Sequence, residues 1–474
     1  MDRASFLFDA FLGRLPYEPT PCQVELMRSC AAFLTSDDGD ILVVNGYAGT
    51  GKTTAVAAVI SVMEEFHVPS VLLAPTGRSA KVLSQYAGRP AFTIHKHIYR
   101  QKSHGDDGFG RFSLSPNKAR GTLFVVDEVS LLGIDAGAER SGGASFGSGN
   151  LLEDLVSFVR NGADCKMILV GDGAQLPPVG LDESPALSPE YMNRFGGVRF
   201  ATLKSVVRQE QESGILANAT ALRELILGGA FPLQRKALPL VTDGYADVER
   251  INGSELLEAL SEAYSRYGED ETIVLCRSNK MAGRYNAGIR AQILFREERL
   301  VRGDKLMVVK NCYQGVEDIE GTDFIANGDL VSLVWIRHFE ERYGLHFADA
   351  CLSLPDYNEQ EITVKVLLDT LESDSPSLGY EQSNMLYQGV NEDYSHISTK
   401  KKRYDAVRED PYFNALQIKY AQAITVHKSQ GGEWRCVFID NPFWQDMLLA
   451  DDLKWLYTAI TRAVEKVYLV NFPL

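Results

Sequence analysis

The chain has 474 residues, 45% of them apolar, and 63 acidic against 48 basic side chains, for a formal net charge of −15. That length suggests roughly three domains with sizeable cores, no run of about 18 apolar residues offers a membrane span, and the acidic balance disfavours nonspecific nucleic-acid binding by the body as a whole while leaving room for a local basic groove. The seven cysteines are scattered and form no C-x-x-C pair, which argues against zinc, an iron–sulfur cluster or a disulfide framework and for a reducing, cytoplasmic setting. Met1 to Phe11 mixes acidic and apolar residues without a basic start and does not read as a secretory signal.

In chain order, the first strong element is Ile41-Leu42-Val43-Val44, an apolar run that reads as a buried strand. It leads into Gly46-Tyr47-Ala48-Gly49-Thr50-Gly51-Lys52-Thr53, which fits G-x-x-x-x-G-K-[ST] at every fixed position, and then into an Ala/Val-rich helix to Glu65. Strand, glycine loop and helix form the context a phosphate-binding loop requires. Its backbone N–H groups cradle phosphate oxygens at a helix N-terminus, Lys52 reaches the terminal phosphates, and the Thr53 hydroxyl can hold Mg²⁺. The ligand is therefore ATP or a similar nucleotide.

Ser70 to Ala74 reads as a strand, Arg78 to Tyr86 as a helix, and Leu123 to Val126 and Met167 to Val170 as further strands. This alternation implies a parallel sheet covered by helices. The third strand ends in Asp127-Glu128, where a nucleotide site needs a Mg²⁺-coordinating carboxylate (Asp127) and a group to orient or deprotonate the attacking water (Glu128). After the fourth comes Gly171-Asp172 and then Gln175-Leu176-Pro177-Pro178. On residues alone this reads better as a Pro-stiffened turn than as a γ-phosphate sensor.

A second alternation starts near Leu203, with strands at 272–275, 423–426, 436–439 and 467–470, and implies a second α/β core. Between its parts, from about Leu300 to Leu416, short Val/Leu runs separated by turn signals suggest a β-rich insertion. Residues 371–411 are polar and Tyr-rich, with Pro376 and Pro411, and read as loop. Gly133 to Asn150, rich in Gly and Ser, reads as a mobile surface loop. Lys400-Lys401-Lys402-Arg403 reads either as a solvated turn or as a DNA contact. Arg208 and Arg462 lie in the second core region and could reach a γ-phosphate across a cleft between cores.

Taken in order, these segments resemble the motifs of a superfamily-one helicase of the 5′→3′ RecD-like and Dda-like branch (superfamily 1B). Pro21-Cys22-Gln23 resembles the adenine-reading Q motif, Gly46 to Thr54 motif I, Leu73 to Ala80 motif Ia, and Thr93 to Lys96 the next DNA-contacting segment. Asp127 to Ser130 resembles motif II, with Val129 where Ala is usual. Gly171 to Pro178 resembles motif III, Val207-Arg208-Gln209 motif IV, Ala423 to Gly431 motif V, and Tyr457 to Ala463 motif VI. Gly432 stands where Ser is more often found.

The resemblance implies an α/β fold with two RecA-like lobes. The first is residues 1–202, with a wedge hairpin inserted at 99–121. The second is residues 203–299 and 416–474, with an SH3-like β-rich insertion at 300–415. It implies ATP and Mg²⁺ in the cleft, held by Gln23, Gly46, Ala48, Gly49, Thr50, Gly51, Lys52, Thr53, Thr54 and Gly432, with Thr53 and Asp127 on the metal. Lys52, Asp127, Glu128, Gln175, Arg208 and Arg462 would carry the chemistry. Single-stranded DNA, leading to a single/double-strand junction, would cross Pro75, Thr76, Arg78, Thr93, His95, Lys96, Thr425, His427 and Lys428, with Phe109 or Phe112 at the wedge. Such backbone contacts are sequence-tolerant. The implied activity is DNA unwinding by a monomer or weak assembly in replication, repair or recombination. A translocase that remodels protein–DNA complexes, an RNA helicase and a silent subunit of a recombination complex are the rival readings.

Overall fold

Buried apolar strands set the architecture. The structure, a computed structural model, describes residues 2–104, 110–134, 145–205, 213–312, 315–316, 319 and 324–473. The strands of its first part are β1 (Ile41–Gly46), β2 (Ser70–Ala74), β3 (Ala91–Thr93), β4 (Tyr99–His104), β5 (Gly110–Leu114), β6 (Leu123–Val126), β7 (Ser145–Phe146), β8 (Lys166–Gly171) and β9 (Val198–Leu203). Six of them form a parallel sheet in the order β3-β2-β6-β8-β1-β9. Ile41, Leu42, Val43 and Val44 are all buried because helices cover both faces, and so β1 reads as continuous hydrophobe rather than alternation.

The remaining three strands form a small sheet, in which β4 and β5 are an antiparallel hairpin and β7 pairs with β5. The Gly/Ser-rich stretch expected to be a surface loop thus supplies a strand at 145–146. Its residues 135–144 lie outside the described residues, as do Gly105 to Phe109 at the hairpin turn, so the proposed wedge residue Phe109 has no placement. Phe112 packs against the first lobe's core, which is the structural role open to it.

The second part contains β10 (Leu233–Gln234), β11 (Val248–Ile251), β12 (Thr272–Cys276), β13 (Lys305–Val308), β14 (Leu330–Arg342), β15 (Leu345–Leu354), β16 (Gln360–Leu367), β17 (Leu416–Tyr420), β18 (Ala423–Thr425), β19 (Trp434–Asp440), β20 (Met447–Leu448) and β21 (Ala463–Val470). The second parallel sheet has the order β11-β21-β19-β12-β18, while β10 and β20 pair separately. Strands β13 to β17 close into a barrel.

Two expectations change here. β17 pairs with both β13 and β16, so residues 416–420 complete the insertion instead of opening the returning half of the second lobe. Residues 371–411 are not all loop: helices Tyr380–Asp393 and Lys400–Glu409 occur there. They pack on the far end of the β14–β15 hairpin through Leu386, Val390, Val407 and the ring of Tyr387. The basic run Lys400 to Arg403 is accordingly the start of a helix, not a turn. Among the described residues, no helix is long and apolar enough to cross a membrane.

A buried ion network fixes the barrel to the second lobe. Arg290, on helix Asn279–Gln292, donates from Nη1 to Asp304 Oδ1 at 2.5 Å, with both side chains buried. Arg296 joins Asp304 at 3.0 Å and Glu269 at 2.9 Å, and Arg290 also lies over the ring of Tyr420, 4.4 Å from its centroid. Removing one member of a buried pair strands the other charge, at a cost of about 3–5 kcal/mol. Asp304→Ala should therefore lower the chemical-denaturation midpoint of the second lobe and barrel strongly. An unchanged midpoint would show that the two guanidinium groups find other acceptors.

Candidate nucleotide site and interlobe seam

Strand order builds the site. Because β6, β8 and β1 are parallel neighbours, their carboxyl ends bring Asp127, Asp172 and the loop 46–53 to one edge of the first sheet, where open α/β sheets bind ligands. Gly49 and Gly51 adopt φ of +72° and +73°, a region glycine enters without strain. Gly46 is needed for a different reason: a Cβ there would lie 2.5 Å from Lys52 Cγ, because the lysine stem folds over it. Thr50 Oγ1 donates to the Tyr47 carbonyl at 2.7 Å. Thr53 and Thr54 occupy the first turn of helix Lys52–Glu65.

Gln23 is fully buried, and its amide has three partners. Oε1 accepts from the Thr20 N–H at 2.9 Å, while Nε2 donates to Tyr17 Oη at 3.2 Å and to the Thr50 carbonyl at 3.1 Å. In this state it caps its own helix and braces the phosphate loop, so any base contact requires it to exchange partners.

The acidic corner is under electrostatic tension. Asp127 accepts from the Glu128 N–H at 2.8 Å, yet burial, followed by the Glu128 charge, raises its carboxyl to about 7, with Lys52 partly offsetting this. Such a carboxyl is relieved by a positive ion, and the hydroxyl-plus-carboxylate pair Thr53 and Asp127 suits Mg²⁺. Glu128 itself has φ +54°, a left-handed conformation that costs a non-glycine residue on the order of 1–2 kcal/mol and turns the chain sharply off the strand.

The second lobe closes over this corner. The Ala48 N–H of the phosphate loop donates to Tyr457 Oη at 2.8 Å, and the Tyr457 hydroxyl donates to Asp172 Oδ2 at 2.7 Å. Lys52 Nζ lies 3.8 Å from the same oxygen. Next to it, the Leu176 N–H donates to Thr458 Oγ1 at 2.8 Å and Gln430 Nε2 donates to the Leu176 carbonyl at 2.7 Å. Asp172 is anchored from behind, its N–H donating to Ser130 Oγ at 2.8 Å. Gln175 is buried in this seam, and its Oε1 has no hydrogen-bond partner among the described residues. Buried amide oxygens rarely stay unsatisfied, so an acceptor is left free at this seam.

Arg462 is also buried, but its guanidinium is engaged: it donates to the carbonyls of Thr458 (3.1 Å) and Gly432 (3.3 Å) and to Thr461 Oγ1 (3.3 Å). To reach a phosphate it would have to leave these oxygens. Arg208 lies outside the described residues. The sequence reading gave Asp172, Tyr457, Thr458 and Gln430 no individual roles. They were visible only as members of motif-like runs, because their partners lie hundreds of residues away.

A second constellation lines the seam between lobes and barrel. Thr76 Oγ1 caps helix Gly77–Ala87, accepting from the Ser79 N–H at 3.1 Å, and Thr93 caps helix Ile94–Ile98 in the same way. Gly431 approaches this cap so closely that a Cβ would lie 2.0 Å from Ser79 Oγ, and one on Gly77 would meet Tyr357 Oη at 2.7 Å and Asp329 Oδ1 at 3.0 Å from the barrel. The Pro75–Thr76 region, the Thr425–Gly431 region and the barrel therefore converge.

Arg78 lies 4.1 Å from the Trp434 ring centroid and donates to the Glu433 carbonyl. A side chain at Gly432 would come within 2.5 Å of Arg78 Nε, which explains the glycine. Gly432, expected at the nucleotide, stands among Arg78, Trp434 and Arg462 at this seam. Burial pushes His95 down to about 4, so it is neutral at physiological pH, and burial plus the charge of Lys419 pushes Lys428 down to about 8. His427 is also lowered, chiefly by burial. Lys96 lies over Phe92.

Comparison with known proteins follows this division. Residues 21–140 match the model of an AAA domain and 420–470 that of a UvrD-like helicase C-terminal domain. The chain is 37% identical over 139 residues to the ATP-dependent RecD2 DNA helicase of Deinococcus radiodurans, a match covering 29% of this chain and 16% of that protein. It is 23% identical over 455 residues to the ATP-dependent DNA helicase dda of Enterobacteria phage T4, covering 90% of this chain and 94% of the phage protein. Among solved structures, a Pif1 helicase from Bacteroides in complex with ADP-AlF3 and ssDNA aligns over 97% of this chain and 94% of its own, at 16% identity and a TM-score of 0.48.

Two outcomes follow for the nucleotide corner. Lys52→Ala should weaken nucleotide binding and turnover together, whereas Glu128→Gln should keep binding and lose turnover by roughly 10² or more. Near-normal turnover in Glu128→Gln would remove that carboxylate from the chemistry.

The second outcome concerns pH. The Asp127 carboxyl holds its proton more tightly folded than unfolded, so its contribution to stability is present below its ordinary value of 3.8 and is lost as pH rises towards about 7. In chelator, Asp127→Asn should melt higher than the wild-type chain at pH 8, and the gain should shrink towards zero near pH 4. A pH-independent difference would contradict the raised carboxyl.

Proposed function

We propose that this chain, a superfamily-one helicase of the RecD-like and Dda-like branch, hydrolyses ATP to move 5′→3′ along single-stranded DNA and to unwind duplex DNA. One observation carries the coupling: the Ala48 amide of the phosphate loop is hydrogen-bonded to Tyr457 of the other lobe. A nucleotide entering the loop meets a contact that spans the cleft, so its arrival cannot leave the interlobe contacts as they were. The relatives are helicases by name, and the matched stretch spans only 16% of the Deinococcus protein, so the activity of the whole is this chain's own question.

In the proposed reaction, loop amides and Lys52 hold the β- and γ-phosphates while Glu128 positions and deprotonates the attacking water. Water oxygen bonds to the γ-phosphorus as the bond to the ADP oxygen breaks. Thr53 and Asp127 would hold Mg²⁺, which supplies charge neutralisation on the phosphate oxygens. Gln175 senses the γ-phosphate with its unsatisfied amide oxygen through the attacking water, and Arg208 and Arg462 stabilise developing charge.

Loss of the γ-phosphate then releases the lobes. Translocation requires the two lobes' grips on DNA to differ between the bound and released states. Single-stranded DNA runs along the seam where Thr76, Arg78 and Thr93 of the first lobe approach Thr425, His427 and Lys428 of the second, with the hairpin β4–β5 at the junction.

Unwinding of duplexes carrying a single 5′ or 3′ tail, at low and moderate salt, tests this reading. A 5′ tail should be required, and binding should weaken steeply with salt through counterion release despite the acidic total charge. Opening of 3′-tailed duplexes would contradict the direction. ATP hydrolysis without strand separation on either substrate would favour a translocase that remodels protein–DNA complexes.

A further inference from the structure

A buried cation beside the phosphate loop has no role in the mechanism above. Arg223 lies on helix Gly214–Gly228, which packs on the second lobe beside helix Ala450–Ile460. Ile215, Ala219 and Leu222 of that helix share one apolar core with Tyr47 of the phosphate loop and with Ala174 and Leu176 of the first lobe. The Arg223 side chain is 8% exposed, and its guanidinium carbon lies 5.2 Å from the centroid of the Tyr47 ring. Among the described residues it has no hydrogen bond and no carboxylate partner, and the ring is its one recorded contact.

That arrangement is costly on its own. A guanidinium keeps its charge at any physiological pH, and a buried charge without an ion-pair partner is disfavoured. The Tyr47 face returns a part of the lost hydration. Buried arginines elsewhere in the chain are provided for: Arg290 has Asp304, and Arg462 has three oxygens. Arg223 differs from both, and it faces a loop whose chemistry is the binding of anions.

The groups around Arg223 point to the end of the nucleotide it would meet. Its positive charge opposes the burial-driven rise of the hydroxyl pKa at both Tyr47 and Tyr457. Tyr457 is bonded to Asp172, which in turn lies 3.8 Å from Lys52 Nζ. The ring under Arg223 belongs to Tyr47, in the phosphate loop that leads into Lys52, the residue that reaches the β- and γ-phosphates.

We propose that Arg223 is a phosphate-contacting catalytic residue supplied by the second lobe, which leaves the Tyr47 ring to pair with the terminal phosphate of a bound nucleoside triphosphate. The assignment rests on the nucleotide reading of the loop and adds a lobe-two cation that the sequence motifs do not mark. Its five-donor fork suits phosphate oxygens. It distinguishes triphosphate from diphosphate because the γ-phosphate it would meet is carried by the triphosphate alone.

Calorimetric titration of the full chain with Mg·ADP and with a non-hydrolysable triphosphate, Mg·AMP-PNP, tests it. Arg223→Gln should weaken AMP-PNP binding roughly tenfold or more, the size expected for one charge-assisted contact, and leave ADP binding within about twofold. Arg223→Lys, which keeps the charge and most of the stem, should fall between the two and serves if the Gln variant does not fold. Equal losses for both nucleotides, or none for either, overturn the assignment. If the wild-type chain binds neither nucleotide, the nucleotide reading fails and Arg223 falls with it. If the wild type binds both and only the variant contrast is missing, Arg223 alone is wrong.

Discussion

The Tyr457 hydroxyl is the point through which the two lobes know each other's state. It accepts from a loop amide 409 residues earlier in the chain and donates to a carboxylate 285 residues earlier. Both bonds are made in a buried seam, where hydrogen bonds are stronger and unpaired groups more expensive than in water. Around it Tyr47, Ala174 and Leu176 of the first lobe pack into the second lobe's own core. The hydroxyl meets an amide of the loop that the sequence assigns to phosphate binding, and Asp172 lies beside Lys52. The two lobes are therefore joined at the phosphate loop by polar protein groups.

This constraint explains why the seam is polar at its centre and apolar at its edge. A wholly apolar interface would hold the lobes in one position regardless of ligand. Here Tyr457, Thr458 and Gln430 engage Asp172 and Leu176 by hydrogen bonds that can be exchanged, while the Gln175 amide oxygen has no partner among the described residues and Arg223 lies over the Tyr47 ring. The same seam continues towards the barrel, where Gly77, Gly431 and Gly432 permit backbone approaches that any side chain would block. A shift between lobes would therefore be felt at Ser79, Arg78 and the barrel residues Tyr357 and Asp329. The acidic exterior does not contradict a nucleic-acid path here, because Arg78 and Lys428 lie in the seam rather than spread over the surface.

What the sequence made legible was local. The run Ile41 to Val44 followed by the glycine loop specified a strand, a turn and a helix, and the alternation of such units specified two parallel sheets. The returning strand Leu416–Tyr420 was misassigned because five residues of mixed polarity carry no information on which sheet they close. The helices at 380–393 and 400–409 were missed because their buried faces are sparse: Val407 is the single buried residue in the second, and tyrosines do much of the packing. Gly432 was assigned to the nucleotide from motif position, and the room it leaves for Arg78 against Trp434 was not legible in the sequence. Tyr457 was visible only as the start of a motif-like run and Arg223 not at all, since the significance of both lies in partners distant along the chain.

The central claim is that one hydroxyl from the second lobe is bonded directly to the phosphate loop. Amide hydrogen exchange reads it directly, because the Ala48 N–H has Tyr457 Oη as its acceptor and protection reports that bond. Exchange across residues 41–53 should be compared between the nucleotide-free wild-type chain and Tyr457→Phe, which keeps the ring and removes the hydroxyl. The account predicts faster exchange at Ala48 in the variant, with the buried strand at 41–44 unchanged. Equal protection of Ala48 in the two proteins would contradict it.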